Sequence, residues 1–349
     1  MHGGTMMAIR YHRQGGPEVL TYEAVPVPAP APGEVLIRVH AAGINPPDWY
    51  ARSGFAAIPP HLRPRLPLPS IPGSDLSGVV VAVTPEVTRW RVGDAVFGMV
   101  RFPSLSNGAR SYAEYATAPE DHLAAKPAGV SHVAAAGVPM AGLTAYQQLY
   151  GGLGAGVTGA EPRDFTPLAP GADAPVGTAL ARRTVLVNGA AGGVGHFLTQ
   201  LTRLEGATVV AVASGRHETF LGELGAHRFV DYSRQRPAEV VHGVDHLFDT
   251  VGGSEAYRLL PAVRDGGTIS PVFHADFHPD EAAARGIRFR SGQVRSDGAQ
   301  LARLAQLLDD GRLRVGIDAT YPLAEAAAAH RHAERGHLQG KIVLTVAPG

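Results

Sequence analysis

The sequence predicts an α/β protein with two parts, a β-rich part and a doubly wound parallel sheet. Three observations predict this fold class. The chain has 349 residues, which is long for one core and comfortable for two domains. Short strand-like runs separated by Pro and Gly fill its first third. Apolar strands then alternate with helical patterns between residues 184 and 272, which implies a sheet with helices on both faces.

The β-rich part is predicted from three runs. Residues 36–41 alternate in polarity, residues 78–83 form an apolar β-branched run, and residues 93–98 are a turn that leads into another strand. Short strands between Pro and Gly turns predict a small barrel or sandwich.

The parallel sheet begins with an apolar run at 184–187 that breaks into closely spaced glycines and resumes as a helix at 196–201. The spacing Ala190-x-Gly192-x-x-Gly195 fits the dinucleotide fingerprint with alanine first, so a pyrophosphate is expected at the helix N-terminus. An ordinary strand-helix connection is the alternative, since glycine-rich turns are common. The residues predicted to surround the pyrophosphate are Ala190, Ala191, Gly192, Gly193, Val194 and Gly195.

The alternation continues along the chain. Strands are predicted at 207–213, 228–230, 246–250 and 267–272, a helix ends near Gly225, and later helices cover 301–308 and 324–335. The strand at 341–346 has no place in the parallel sheet and is expected to return to the first domain. The predicted domains are therefore 1–132 with 291–349, and 133–290.

The second strand of the sheet ends in Ser214, Gly215, Arg216 and His217, with no carboxylate at the position where NAD sites hold the ribose. A hydroxyl, a guanidinium and an imidazole suit a 2′-phosphate instead, so NADPH is the predicted cofactor. The alternative is a solvated helix start, and which of the two cations contacts the phosphate stays open.

Composition excludes several classes of protein. The chain has 31 basic and 31 acidic residues and no cysteine. Balanced charge does not suggest nucleic acid or an acidic membrane surface as a partner, and small molecules are favoured. Without cysteine there is no disulfide, thiolate nucleophile or cysteine-ligated zinc. No targeting or membrane-spanning pattern is present, so a cytoplasmic location is expected.

Residues 151–183 form a Gly, Ala and Pro-rich insertion with few large apolar side chains. A loop of this length is usually a lid or a disordered insertion, and the lack of apolar anchors favours disorder.

With these features in place, the chain resembles the zinc-independent quinone oxidoreductases of the medium-chain dehydrogenase/reductase superfamily. The resemblance implies a GroES-like catalytic domain and a Rossmann domain, with the active site in the cleft between them. It also implies a homodimer joined at the edge of the nucleotide sheet, which we expect at the apolar strand 268–273. The motifs that carry the resemblance are AGINPPDWYARSG (42–54), PGSDLSG (72–78), VGDAVFG (92–98), GARSYAEY (108–115), LTAY (143–146), NGAAGGVG (188–195), DTVGG (249–253) and GHLQGKIVL (336–344).

Zinc-dependent relatives carry a cysteine or aspartate ligand and a Gly-His-Glu run, where this chain has Asn45 and Ser74-Asp75. A catalytic zinc would lack its ligands, so no metal is predicted. The dense group His274, Asp276, His278 and Glu281 lies in a predicted loop without a convincing ligand register.

Without a metal, the economical reaction is hydride transfer from NADPH to a quinone, enone or enoyl thioester, as in a tailoring reductase of secondary metabolism. By resemblance, Asn45 and Tyr50 line the pocket: the Asn45 amide orients substrate or cofactor, and the Tyr50 hydroxyl donates a hydrogen bond or relays a proton. Tyr50 as a wall residue with water as proton source, and Asn45 as a turn cap, are the alternatives. A non-catalytic NADPH-binding protein on the same fold is the second hypothesis.

The remaining expectations concern single residues. Asp48 and Arg52 lie at helical spacing, so a structural ion pair between them and a catalytic role for them are equally favoured. His330 and His332 are expected on a solvated helix. The further cofactor-binding residues that the resemblance implies are Thr144, Asn188, Tyr232, Val251, Val272, Phe273 and Lys341.

Overall fold

The computed structural model describes residues 4–56, 61, 63, 66–102, 110–151 and 180–346. The chain divides into two compact units. Unit 1 comprises Met1–Leu143, Ser296–Gly336 and Lys341–Gly349, and unit 2 comprises Thr144–Arg295 and His337–Gly340. Residues 152–179, most of the predicted insertion, lie outside the described residues, so their expected disorder stays a prediction. The short segment 337–340 joins unit 2 although its neighbours on both sides belong to unit 1.

The N-terminal part of unit 1 is built mainly of antiparallel strands. Its strands are β1 (Thr5–Arg10), β2 (Thr21–Pro26), β3 (Glu34–Gly43), β4 (Asp75–Val83), β5 (Ala95–Met99), β6 (Tyr115–Pro119) and β7 (Leu123–Ala125). Its helices are α1 (Pro46–Arg52) and α2 (His132–Ala136), and α3 (Pro139–Tyr150) crosses the unit boundary. β1 and β2 form a separate hairpin.

The long strand β3 lies at the centre of the main sheet of unit 1, paired with β4, β6 and the last strand of the chain, β15 (Lys341–Thr345). The alternation expected at 36–41 is wrong, because Arg38 alone in this run is exposed. A strand covered on both faces needs apolar side chains at odd and even positions alike. The core here includes Val35, Ile37 and Leu76.

Unit 2 is a parallel sheet in the order β10-β9-β8-β11-β12-β13. Its strands are β8 (Thr184–Asn188), β9 (Thr208–Ala213), β10 (Arg228–Asp231), β11 (Val244–Asp249), β12 (Val263–Pro271) and β13 (Arg288–Phe289). Its helices are α4 (Gly193–Leu204), α5 (Glu218–Glu223), α6 (Pro237–Val240) and α7 (Pro279–Ala284). The strand order reverses between β8 and β11, so a ligand is expected beyond their carboxyl ends.

The strand predicted at 267–272 is not the edge of this sheet. β13 pairs with β12 on its outer side, at Thr268 and Ile269. The prediction of an apolar edge at 268–273 is therefore wrong for the first half of that run, since a two-residue strand covers it.

The chain returns to unit 1 through α8 (Gly298–Asp309), β14 (Ile317–Pro322), α9 (Ala326–Glu334) and β15 (Lys341–Thr345). β15 pairs antiparallel with β3, as predicted for the last strand, and parallel with β14. In the part of the chain that the structure describes, no helix is long and apolar enough to cross a membrane.

Candidate active site

The glycine-rich turn of unit 2 joins β8 to α4. Gly189 adopts a left-handed backbone with φ of 72°, so the tight turn is made by this residue and not by Ala190, whose N–H donates to the Val212 carbonyl at 3.0 Å. A Cβ at Gly195 would collide with the Gly189 carbonyl oxygen. Gly195 therefore allows the helix to pack closely on the strand, as the fingerprint requires.

Gly192 differs from Gly195 in its surroundings. It is the N-cap of α4, and a Cβ built there would meet only the Gly189 carbonyl oxygen, at an ordinary 3.4 Å. The protein itself does not need a glycine at this position, whereas a phosphate approaching the open N–H groups of α4 does. The turn between β8 and α4 thus fits a pyrophosphate. Ala191, Gly193 and Val194 lie on the same turn.

The carboxyl ends of β8 and β11 are joined by polar contacts. The Asn188 amide Nδ2 donates to Asp249 Oδ1 at 2.8 Å, and Asp249 Oδ1 also accepts from the N–H of Val251 at 3.1 Å. These hydrogen bonds hold Val251 where the strand order reverses, beyond the carboxyl ends of β8 and β11. Val251 is 59% exposed there. After the end of β12, Val272 is half-buried and Phe273 is 43% exposed, whereas Thr144 on α3 is buried. Exposed apolar side chains at this end of a sheet suit the face of a ligand ring.

The turn after β9 carries the predicted phosphate-binding side chains. Arg216 Nε donates to His217 Nε2 at 3.1 Å, and Arg216 Nη2 donates to the His337 carbonyl oxygen. His217 Nε2 is thus an acceptor, so its proton lies on Nδ1 and is donated to Gln339 Oε1 at 3.2 Å. Among the described residues, three of the five guanidinium N–H groups of Arg216 have no protein partner. The arrangement leaves Arg216 exposed with donors to spare, and His217 buried.

Two residues beside this turn extend the site. Tyr232, 45% exposed, bonds through its hydroxyl to His337 Nδ1 at 3.0 Å. Asp231, at the end of β10, brings a carboxylate to this turn: its Oδ2 lies 2.5 Å from where a Cβ of Gly215 would be. The Ser233 hydroxyl and N–H bond to Asp231 Oδ1 at 2.6 and 3.0 Å, which lowers the pKa of this carboxyl group.

Unit 1 contains a buried polar cluster at the start of α1. Asn45 is the N-cap of α1 and is 1% exposed. Its Nδ2 donates to Asp75 Oδ2 at 2.9 Å, and its Oδ1 accepts from Lys341 Nζ. Lys341 Nζ also donates to the Ile44 carbonyl oxygen at 2.7 Å. Lys341, predicted to bind the cofactor, therefore contacts Asn45 in unit 1.

The cluster holds two buried carboxyl groups and one buried ammonium group. Burial raises the pKa of Asp48 to about 7 and that of Asp75 to about 6, while burial lowers the pKa of Lys341. The Asn45 N–H and the Tyr112 hydroxyl both donate to Asp48 Oδ2, each at 2.9 Å. Oδ1 is thus the atom that carries the Asp48 proton below its pKa.

Tyr50 lies on α1, two residues after Asp48, and is half-buried. Burial raises the pKa of its phenol, so the hydroxyl keeps its proton at neutral pH and acts as a donor. Its ring meets the Trp49 ring edge-on, with 5.7 Å between centroids. These facts agree with both roles considered for Tyr50, a donor or a wall residue.

Two sequence predictions at α1 and α9 are wrong. Asp48 and Arg52 do not form an ion pair among the described residues, because Arg52 bonds to His330 and Glu334, at 2.8 and 2.5 Å. His330 is not on a solvated face but fully buried. His332 is half-buried and pairs with Asp318 at 3.1 Å. A helix of alanines and histidines does not reveal from sequence which side meets α1.

The residues that sequence reasoning missed are Asp75, Tyr112, His330, Asp231 and His337. A signal existed for Asp75, since it stands in place of the Glu of zinc-dependent relatives. Tyr112 and His330 reach α1 only through the packing of distant segments in unit 1. His337 reaches Tyr232 in the same way in unit 2.

The group His274, Asp276, His278 and Glu281 is spread along a loop and the start of α7. His278 lies 3.7 Å from Glu281, and its ring stacks on Tyr257 with 4.2 Å between centroids. In the described ranges, no group of three or more His, Asp or Glu is arranged to hold a metal ion.

Residues 31–128 match the alcohol dehydrogenase GroES-like domain, and residues 224–344 match the zinc-binding dehydrogenase family. The 2-methylene-furan-3-one reductase of Solanum lycopersicum is 32% identical, over 98% of this chain and 80% of that protein. The chloroplastic NADPH-dependent alkenal/one oxidoreductase of Arabidopsis thaliana is 30% identical, with the same coverage.

Among solved structures, the quinone oxidoreductase from Coxiella burnetii superposes with a TM-score of 0.83 at 31% identity, over 99% of this chain and 100% of that chain.

Proposed function

Because the chain belongs to the quinone oxidoreductase branch of the medium-chain dehydrogenase/reductase superfamily, a family of nicotinamide-dependent oxidoreductases, we propose that it uses NADPH, without zinc, to reduce a quinone or an α,β-unsaturated carbonyl compound. The observation that carries the zinc-independent part is the Lys341 ammonium group in contact with Asn45. The relatives whose names state an alkenal/one or a furanone reduction support the acceptor class.

Zinc does not fit the residues of unit 1. The position of the first ligand is an amide, Asn45, and its oxygen is already bonded to an ammonium group. The carboxylate of Asp75 faces the same Lys341 charge. A divalent cation at this place would have to displace Lys341, and the groups that the described residues bring to Asn45 are a carboxyl group and an ammonium group.

NADPH fits the donors of unit 2. Arg216 and Tyr232 are exposed side chains that can donate to a 2′-phosphate, and His217 and His337 hold them in place. Asp231 is the feature that opposes this preference, since a carboxylate beside Gly215 could accept from ribose hydroxyls. Its oxygen Oδ1 is taken by the Ser233 hydroxyl and N–H, which supports the phosphate assignment.

When bound, the nicotinamide supplies the hydride. The residues of unit 1 supply the rest: the Tyr50 hydroxyl donates to the carbonyl oxygen of the acceptor, where negative charge develops. Asn45 is locked by Asp75 and Lys341, which orients the one Nδ2 hydrogen not directed at Asp75. Asp48 Oδ1 holds a proton near neutral pH, so this cluster keeps a proton close to α1 for a reaction that consumes one.

The test is NADPH consumption by the purified protein against a panel of quinones, enones and enoyl thioesters. We expect turnover of at least one acceptor, with activity unchanged by a chelator and no stoichiometric zinc in elemental analysis. NADPH binding without turnover of any member would support a non-catalytic binding protein instead. One zinc per chain, lost together with activity, would contradict zinc independence. The cytoplasmic location stays a prediction.

A further inference from the structure

Helix α1 is tied to the rest of unit 1 by a closed ring of hydrogen bonds. Asp48 Oδ2 accepts from the Tyr112 hydroxyl at 2.9 Å, and the Tyr112 oxygen lies 3.2 Å from His330 Nε2. His330 Nδ1 lies 2.8 Å from Arg52 Nη1, which returns the ring to α1. All four side chains are at most 4% exposed. Asp48 and Arg52, one turn apart, are therefore joined through two residues from other parts of the chain.

The chemistry of the four side chains fixes which group donates and which accepts in each hydrogen bond of this ring. Arg52 can only donate, so His330 Nδ1 is an acceptor and the proton of the neutral ring lies on Nε2. Burial, and then the Arg52 charge, lowers the pKa of His330 to about 3, so the ring stays neutral. His330 Nε2–H then donates to the Tyr112 oxygen, and the Tyr112 hydroxyl donates to Asp48. Each donor polarises the next, which strengthens the bond that Asp48 finally accepts.

We propose that Tyr112 and His330 are positioning residues of the active site, which hold α1, and with it Asn45 and Tyr50, through the Asp48 carboxyl group and set how tightly that group keeps its proton. The inference rests on the proposed function, since it assigns α1 to the acceptor pocket. Asp48 Oδ2 accepts from the Tyr112 hydroxyl and from the Asn45 N–H, so the Tyr112 bond acts on the N-terminus of α1. His330 supports that bond and also contacts Arg52 on the same helix.

Several other charged or titratable groups face Asp48 and act on its proton. Asp75 on β4 raises the proton affinity of Asp48, and Lys341 on β15 lowers it. Tyr11, which follows β1, and Arg52 are also electrostatically coupled to this site. The bond from Tyr112 favours the ionised carboxylate, so its loss, or its weakening when His330 is removed, shifts the Asp48 midpoint to higher pH.

The experiment follows the side-chain carboxyl carbons of aspartate by ¹³C NMR between about pH 5 and pH 9, in the full chain without cofactor or acceptor. Asp48→Asn identifies the resonance by removing it. Tyr112→Phe and His330→Leu are expected to raise its midpoint by about one pH unit. His330→Gln is expected to restore the wild-type midpoint, because its amide can accept from Arg52 and donate to Tyr112. His332→Gln, on the same helix but bonded to Tyr321 at 3.0 Å, should leave it unchanged.

An Asp48 midpoint that is unchanged in Tyr112→Phe overturns the proposal. A folded His330→Gln variant in which Asp48 titrates differently from the wild type also overturns it. If His330→Leu does not fold, these two variants still decide the question. In assays, Tyr112→Phe should lower kcat about tenfold with little change in KM. The basic limb of the kcat profile should move to higher pH together with the NMR midpoint, since the proposed role of Asp48 needs its protonated form. Failure of the proposed function is recognised separately, since the NMR titration needs no turnover.

Discussion

Gly192 and Gly195, three residues apart in one turn, have different reasons to be glycine. Gly195 faces the Gly189 carbonyl oxygen at a distance that excludes a Cβ, whereas Gly192 has room for one. Gly195→Ala is therefore expected to lower the free energy of unfolding by about 1 to 3 kcal/mol, the usual cost of overpacking. Gly192→Ala should fold normally and weaken NADPH binding about tenfold or more, since a methyl group would occupy the approach of the phosphate.

Denaturant unfolding and cofactor titration of the two variants check this pair. Loss of stability in Gly192→Ala with unchanged binding would show that the phosphate lies elsewhere.

Cofactor preference is decided by the side chains around Gly215. Arg216→Ala should weaken NADPH by about 1 to 3 kcal/mol, the range of a charged hydrogen bond, and leave NADH nearly unchanged. Asp231→Asn is the matched control, because it removes the opposing carboxylate charge without altering its size; it should strengthen NADPH and not NADH. The measurement is fluorescence titration with both cofactors. Equal affinities for NADPH and NADH in the unchanged protein would contradict the assignment of a 2′-phosphate site to this turn.

Single residues were predictable from the sequence where the signal is local. The spacing of Gly192 and Gly195 placed the turn and its helix correctly, because these positions follow from the geometry of one strand-helix connection. Asp231 and His330 could not be found this way. His330 reaches Arg52, 278 residues away in sequence, only when distant segments pack together. Asp231 is bonded locally to Ser233, but its place beside Gly215 depends on the pairing of β10 with β9.

At the scale of elements, α1 is a short helix whose first turn contains a buried carboxyl group. Asp48 has a pKa of about 7 in the folded chain, above the value near 4 of an unfolded aspartate. Between about pH 4 and pH 7 the folded state therefore binds more protons than the unfolded one, so this group's stabilising contribution is lost as pH rises through that window.

Asp48→Asn removes this titration. Its free energy of unfolding, relative to the wild type, should rise with pH across the window, by on the order of 1 kcal/mol for each unit of the lost pKa shift. Urea unfolding at a series of pH values measures it. A constant difference between the two proteins at every pH would mean that Asp48 titrates at an ordinary value in the folded chain.

Elements with strong patterns were predicted well and those without were not. The apolar β-branched runs placed β8 and β9 within one residue of their observed bounds, since a buried parallel strand needs such side chains at every position. β11 begins two residues before the predicted 246, and β12 begins at Val263, four residues before the predicted 267. β13 contains two residues, Arg288 and Phe289, too few to show any periodicity. Because β13 was not predicted, the prediction made β12 the edge strand, whereas the edge strand of the observed sheet is β13.

At the scale of the whole molecule, the position of that edge determines how two copies can pair. Arg290 N–H donates to the Ile269 carbonyl oxygen at 2.9 Å, so by the alternation of a parallel ladder the N–H of Phe289 points away from β12. An outward N–H on a short, partly apolar edge strand is open to a second chain. We therefore propose a twofold homodimer that pairs at β13 and not at the strand 268–273.

Light scattering should give the mass of two chains, and hydrogen exchange should show the Phe289 amide protected well beyond its exposure in a single chain. Dilution below the dissociation constant should remove that protection while the amides of β11, in the centre of the sheet, stay protected. A dimer with a rapidly exchanging Phe289 would place the interface on another surface. A monomer at all concentrations would refute edge pairing, because a twofold contact uses the same β13 edge on both copies and cannot form in a single chain.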